Sequence, residues 1–192
     1  MGIQIVTNLP ALPEAIGRVA AALPQTLHAT IQQAAETLRE QIISGKLSGS
    51  PLKTRSGALK ESLSTAVRQD GVETTGVVGT SIRYARIQEF GGTIRARSGA
   101  NLTIPLAGAL DSAGQARFSA REVIANPALG GFRGTFMRNR IVFGSLAGGA
   151  IVPLFKLQPS VEIPARSFMG SALAENRGAI IALIVRGLAE LV

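Results

Sequence analysis

The chain has 192 residues, 46% of them hydrophobic and only 4% aromatic, with no Trp and no Cys. Lacking Cys, it excludes a disulfide framework and a thiolate metal site, and its Ala, Leu, Ile and Val favour helix packing and small sheets over a large aromatic-lined pocket. Sixteen Arg and four Lys against twelve acids give a net charge of +8 and a pI near 11.2, which points to an anionic partner or to a surface charged for solubility.

Met1-Gly2-Ile3-Gln4-Ile5-Val6 reads as a short β-like start without the basic region and apolar run of a secretory signal. Val6 stands where a myristoylation motif requires Ser or Thr. Residues 11–23, bounded by Pro10, Pro13 and Pro24, read as one helix. Residues 25–43 read as a second, because Leu27, Ile31, Leu38 and Ile42 recur at helical steps and Gly45 follows as a stop. A polar connection leads to a turn and short helix over 54–63. Residues 64–69 and 72–80 are predicted strands joined at Asp70-Gly71, a strong hairpin signal. Ser81 is a candidate cap for a short helix running to Phe90 and closed by Gly91.

Periodicity fades over 94–150, which is rich in Gly, Ala, Ser and Arg. Arg95, Arg97, Arg117, Arg121, Arg133, Arg138 and Arg140 face only Asp111 and Glu122 there, a local net charge of +5. Strand-like runs at 102–106 and 135–143 lie within this stretch, which is expected to be an inserted hairpin or loop region rather than core. Strands are predicted at 151–157 and 160–163. A final helix is expected from Pro164, with Met169, Leu173, Ile180, Ile184, Leu188 and Leu191 as its apolar stripe. The apolar run 179–192, broken by Arg186 and Glu190, reads as too short to span a bilayer, so no membrane partner is expected. The predicted fold class is α+β: one domain over 1–192, with a small, mainly antiparallel sheet against an N-terminal helix and a long C-terminal helix.

Enzymatic chemistry finds little support. The single His28 sits on a helix between Leu27 and Ala29, where a packed or surface role is the ordinary one. Carboxylates are scattered, and the glycine-rich runs at 130–134 and 144–149 match neither a P-loop nor a dinucleotide fingerprint. No catalytic, cofactor or metal residues are assigned. The arginines of 94–150 suit a phosphate backbone, but Phe118, Phe132, Phe136 and Phe143 show no stacking pattern along the chain.

Four short motifs in order carry a resemblance. They are Arg55-Ser56-Gly57-Ala58-Leu59-Lys60-Glu61-Ser62, then Val78-Gly79-Thr80, then Tyr84-Ala85-Arg86-Ile87-Gln88-Glu89-Phe90-Gly91, and last Pro164-Ala165-Arg166-Ser167-Phe168. Together they resemble the tail-completion and head–tail joining (neck) proteins of long-tailed bacteriophages, the superfamily of lambda-type tail completion and virion-morphogenesis proteins. The resemblance covers about 25–93 and 151–192; shorter members pass more directly from Glu-Phe-Gly to Pro-Ala-Arg. It implies a structural virion protein of the neck or tail, assembled in the host cytoplasm as a homo-oligomeric ring. Sixfold symmetry, contacts with neighbouring neck or tail proteins and proximity to genomic DNA are further implications.

Within that reading, Glu89, Arg83, Arg86 and Arg166 are the assembly candidates. The seven arginines of 94–150 are candidates for facing a lumen or partner. Tyr84, Phe90 and Phe168 are expected to pack as structural anchors, Tyr84 and Phe90 along one helix edge with Ile87. Arg166 is expected in the first turn of the last helix, where the macrodipole disfavours a cation and a carboxylate partner would compensate. The alternative, from a different class, is a basic nucleic-acid-binding accessory protein.

Overall fold

A computed structural model describes residues 12–52, 56–71, 73–97 and 100–191. The fold is α+β, and the chain divides into two units, one formed by 1–53, 58–85 and 167–192 and the other by 54–57 and 86–166. The β-like start at 1–6 lies outside the described residues.

In the first unit, α1 (Leu12–Gln41) is one continuous helix with Pro24 inside it, where the sequence predicts a break. Proline removes one helical hydrogen bond. The flanking Ala20, Ala21, Ala22 and Leu23 are strong helix formers, and helix continues across the defect. A π-helical turn at Ile42–Lys46 ends it, with Leu47 N–H donating to the Ile42 carbonyl at 3.1 Å. After α2 (Ala58–Glu61), β1 (Leu63–Asp70) and β2 (Glu73–Thr80) form an antiparallel hairpin, turning at Gly71 with φ +59. The hairpin packs on α1: Arg39 Nε donates to the Leu63 carbonyl at 2.7 Å, and Gln32 Nε2 to Thr65 Oγ1 at 3.4 Å.

Helix α3 (Ala85–Phe90) starts four residues after Ser81, past a turn in which the Ile82 amide donates to Thr80 Oγ1 and the Ala85 amide to the Ile82 carbonyl. The last helix, α5, runs Phe168–Ala189, so Pro164 and Arg166 precede it instead of forming its first turn. It packs along α1, and Phe168 and Ala172 join Ile42, Leu47, Leu63 and Ala85 in the core of this unit. The helix that carries the apolar run of 179–192 starts eleven residues before that run, at Phe168. By length and composition alone α5 is long and apolar enough to cross a membrane, with a mean hydropathy of 1.3 over its best window.

The second unit holds two sheets. Strands β3 (Gly92–Arg95) and β8 (Ser160–Ile163) form an antiparallel pair. Strands β4 (Leu102–Pro105), β5 (Gly134–Arg138), β6 (Ile141–Ser145) and β7 (Ile151–Gln158) form an antiparallel sheet in the order β4-β7-β6-β5. Residues 94–150, expected as an inserted hairpin or loop, therefore supply most of a sheet and of a hydrophobic core. That core is Ala109, Phe118, Ala120, Val123, Phe132 and Val142, closed by Leu154 and Phe155 of β7. The short helix α4 (Ala120–Ala125) contributes Val123, and Phe118 meets Phe132 and Phe155 edge-on at 6.2 and 6.1 Å. The run 135–143 is not one strand: Asn139 and Arg140, both at positive φ, fold it into the β5–β6 hairpin.

Candidate functional site

The two distal motifs meet within the second unit. Strand β3, which follows the Glu-Phe-Gly segment, pairs with β8, which precedes Pro-Ala-Arg, and Gly92 stands opposite Ile163. Arg166 N–H donates to the Gln88 carbonyl at 2.9 Å. Gly91 adopts φ +71 as its N–H donates to the Ile87 carbonyl, and a Cβ there would lie 2.6 Å from the Ala165 nitrogen. Motifs about seventy residues apart thus share one backbone corner.

At this corner Glu89, an assembly candidate, is buried, 8% exposed. Arg83, Arg86 and Arg166 expose their side chains. Phe168 is fully buried, whereas Phe90 is 74% exposed and Tyr84 is also exposed. The apolar edge expected of Tyr84, Ile87 and Phe90 is therefore not a packed one. Helix α3 proper starts at Ala85, leaving Tyr84 in the preceding turn, and it has only six residues with which to cover Phe90.

Helix α5 presents a second apolar surface. Leu173, Ile181 and Val185 follow one another at steps of eight and four residues along one side of the helix, and Ile181 and Val185 are 50% and 61% exposed. Ala174, Gly178 and Ala182 widen that face, and Arg177 interrupts it. Glu175 pairs with Lys46 of the π-helical turn at 2.5 Å.

The four-stranded sheet carries the third surface. A register shift between β6 and β7 places Leu154 and Phe155 together against the core, as a β-bulge can re-aim consecutive side chains. The flanking Pro153 and Lys156 then face outward. Cross-strand pairing gives the outer face two rows, Phe136–Phe143–Pro153 and Arg138–Ile141–Lys156–Ile104. Phe136 and Phe143 stack with centroids 5.3 Å apart and planes 16° from parallel. This pair corrects the absence of stacking along the chain, since the residues mirror each other about the Asn139-Arg140 turn.

The seven arginines of 94–150 are all exposed and do not form one cluster. Arg95 is on β3, Arg97 follows it, Arg121 is on α4, and Arg133 precedes β5. Arg117 donates to the Gly108 carbonyl, with its guanidinium 5.1 Å from the Phe118 ring centroid. Arg138 ends β5 and Arg140 lies in the β5–β6 turn, so both stand at the tip of that hairpin. Sequence reasoning also missed the capping box of α4, whose signal is Ser119-x-x-Glu122. There the Ser119 amide, then its hydroxyl, hold the Glu122 carboxyl below its ordinary value.

Among the described residues no three His, Asp or Glu side chains are grouped so as to hold a metal. Comparison with protein-family models, curated proteins and solved structures returns no match.

Proposed function

We propose that the chain is a structural virion protein, acting in tail completion or head–tail joining at the head-proximal tail end or neck of a long-tailed bacteriophage, and that it works as a ring of its own copies. The observation that carries the assembly is α5, which leaves Leu173, Ile181 and Val185 uncovered. Several large apolar side chains exposed on one helix face mark an interaction surface, and a neighbouring copy is the partner a ring provides. The ordered motifs supply the phage context, and the last two of the four meet in one backbone corner. In this reading the chain binds and positions; it carries out no enzymatic step and needs no cofactor.

Native mass spectrometry of the purified protein tests the assembly. A ring that survives high salt is expected, and Ile181→Lys with Val185→Lys should disperse it while leaving circular dichroism unchanged. A wild-type monomer, or one that leaves aqueous buffer for neutral lipid vesicles, would overturn the proposal. Loss of the protein should yield tailless heads or unjoined tails, and normal particles would exclude the neck role.

A further inference from the structure

The outer face of the four-stranded sheet combines features that neither a solubilising surface nor a buried subunit contact requires. Residues 123–161 contain no Asp or Glu, yet include Arg133, Arg138, Arg140 and Lys156. Three of these cations belong to the outer rows or to the hairpin tip that continues them. Between them the Phe136 ring, 42% exposed, lies stacked on Phe143, so one of its faces is engaged and the other is available to a further flat group.

Arg140 adds a second argument. It holds φ +59 at the second position of a two-residue turn, where hairpin geometry favours Gly. A non-glycine residue in the left-handed region is conformationally costly, so a guanidinium stands at a position where backbone physics favours glycine.

We infer that this face binds single-stranded nucleic acid, with an unpaired base stacked on Phe136 and the adjoining phosphates held by Arg138, Arg140 and Lys156. Stacked aromatics beside a cationic track are how sequence-tolerant single-strand sites work, and an acid-free surface lets phosphates approach without repulsion. A duplex keeps its bases internal and offers the ring nothing. An acidic protein segment would use the cations but gain little from the flat face. The inference is independent of ring assembly and of any phage context.

Fluorescence anisotropy of the full chain with labelled oligodeoxythymidine tests it, beside an abasic oligomer of equal length, a duplex and polyglutamate. The thymidine strand should bind most tightly, with affinity falling as salt rises. Phe136→Leu should weaken binding about fivefold or more while leaving the abasic oligomer unaffected. Arg140→Gly should raise the Tm yet lower the affinity, a combination that simple loss of folding cannot produce. Equal binding of abasic and thymidine strands, or of duplex and single strand, would overturn the inference. So would no binding at low salt, or tighter binding of polyglutamate indifferent to Phe136→Leu, which would assign the face to an acidic protein.

Discussion

Gly91 closes against Ala165 with no room for a side chain: a Cβ at 91 would lie 2.6 Å from the Ala165 nitrogen and 2.9 Å from the Ile163 carbonyl oxygen. Both neighbours are backbone, so neither can move aside by changing rotamer. The residue also holds φ +71, which an L side chain adopts only with strain. Gly91→Ala should therefore destabilise by roughly 1–3 kcal/mol, read as a lower denaturation midpoint at unchanged m-value. An unchanged midpoint would show that the corner opens freely.

Gly187 of α5 sits against Thr30 of α1, with a built Cβ 2.6 Å from Thr30 Oγ1 and 2.9 Å from Cγ2. Alanine in a helix interior gains up to about 1 kcal/mol over glycine, but here it meets a stiff, buried, β-branched side chain. Gly187→Ala alone should lower stability by about 1 kcal/mol. In a Thr30→Ala background the same change should be neutral or stabilising, giving a coupling of about 1–2 kcal/mol in a double-mutant cycle. Additivity of the two changes would show that the helices do not meet at this point.

Phe168 and Phe90, the phenylalanines of the last two motifs, should respond oppositely to truncation. Phe168 is fully buried among Ile42, Leu63 and Ala85, so Phe168→Ala should cost about 3–5 kcal/mol. Phe90 is largely exposed, and Phe90→Ala should alter stability by less than about 0.5 kcal/mol. If Phe90 serves assembly, its loss should appear in the oligomer distribution and not in the melting curve.

These contrasts show where the sequence was informative. The β1–β2 hairpin was legible because Asp70-Gly71 names its own turn and alternation flanks it. The β5–β6 hairpin was not, since Asn139-Arg140 turns without glycine and the Phe136–Phe143 pair appears only once strands are folded back. Residues 94–150 hid their core for a related reason. Gly144 lies against Phe132 where a larger residue would have signalled burial, and Ala109 and Ala120 occupy core positions with small side chains that a loop carries equally well. At Pro24 the error was the reverse: a strong local breaker was overridden by the helix formers around it. The motif residues were found, but their exposure was not, because burial of Glu89 and exposure of Phe90 depend on what a six-residue helix can cover.

The α4 capping box gives a pH dependence whose sign follows from its geometry. Ser119 N–H donates to Glu122 Oε2 at 2.8 Å, and the Glu122 amide donates to Ser119 Oγ at 3.2 Å. The first bond favours the ionised carboxylate and holds its pKa below the ordinary 4.5. A folded-state pKa below the unfolded one means that the contribution is fully present above the unfolded value and disappears as pH falls through the folded one. Wild type should therefore exceed Glu122→Gln in Tm near pH 7, and the difference should narrow progressively as the pH is lowered below the ordinary carboxylate value. The gap should also shrink with added salt, because the carboxylate is fully exposed. Ser119→Ala removes the other half of the box and should cost about 1 kcal/mol at neutral pH. A Tm difference between wild type and Glu122→Gln that widens on acidification would contradict the assigned direction.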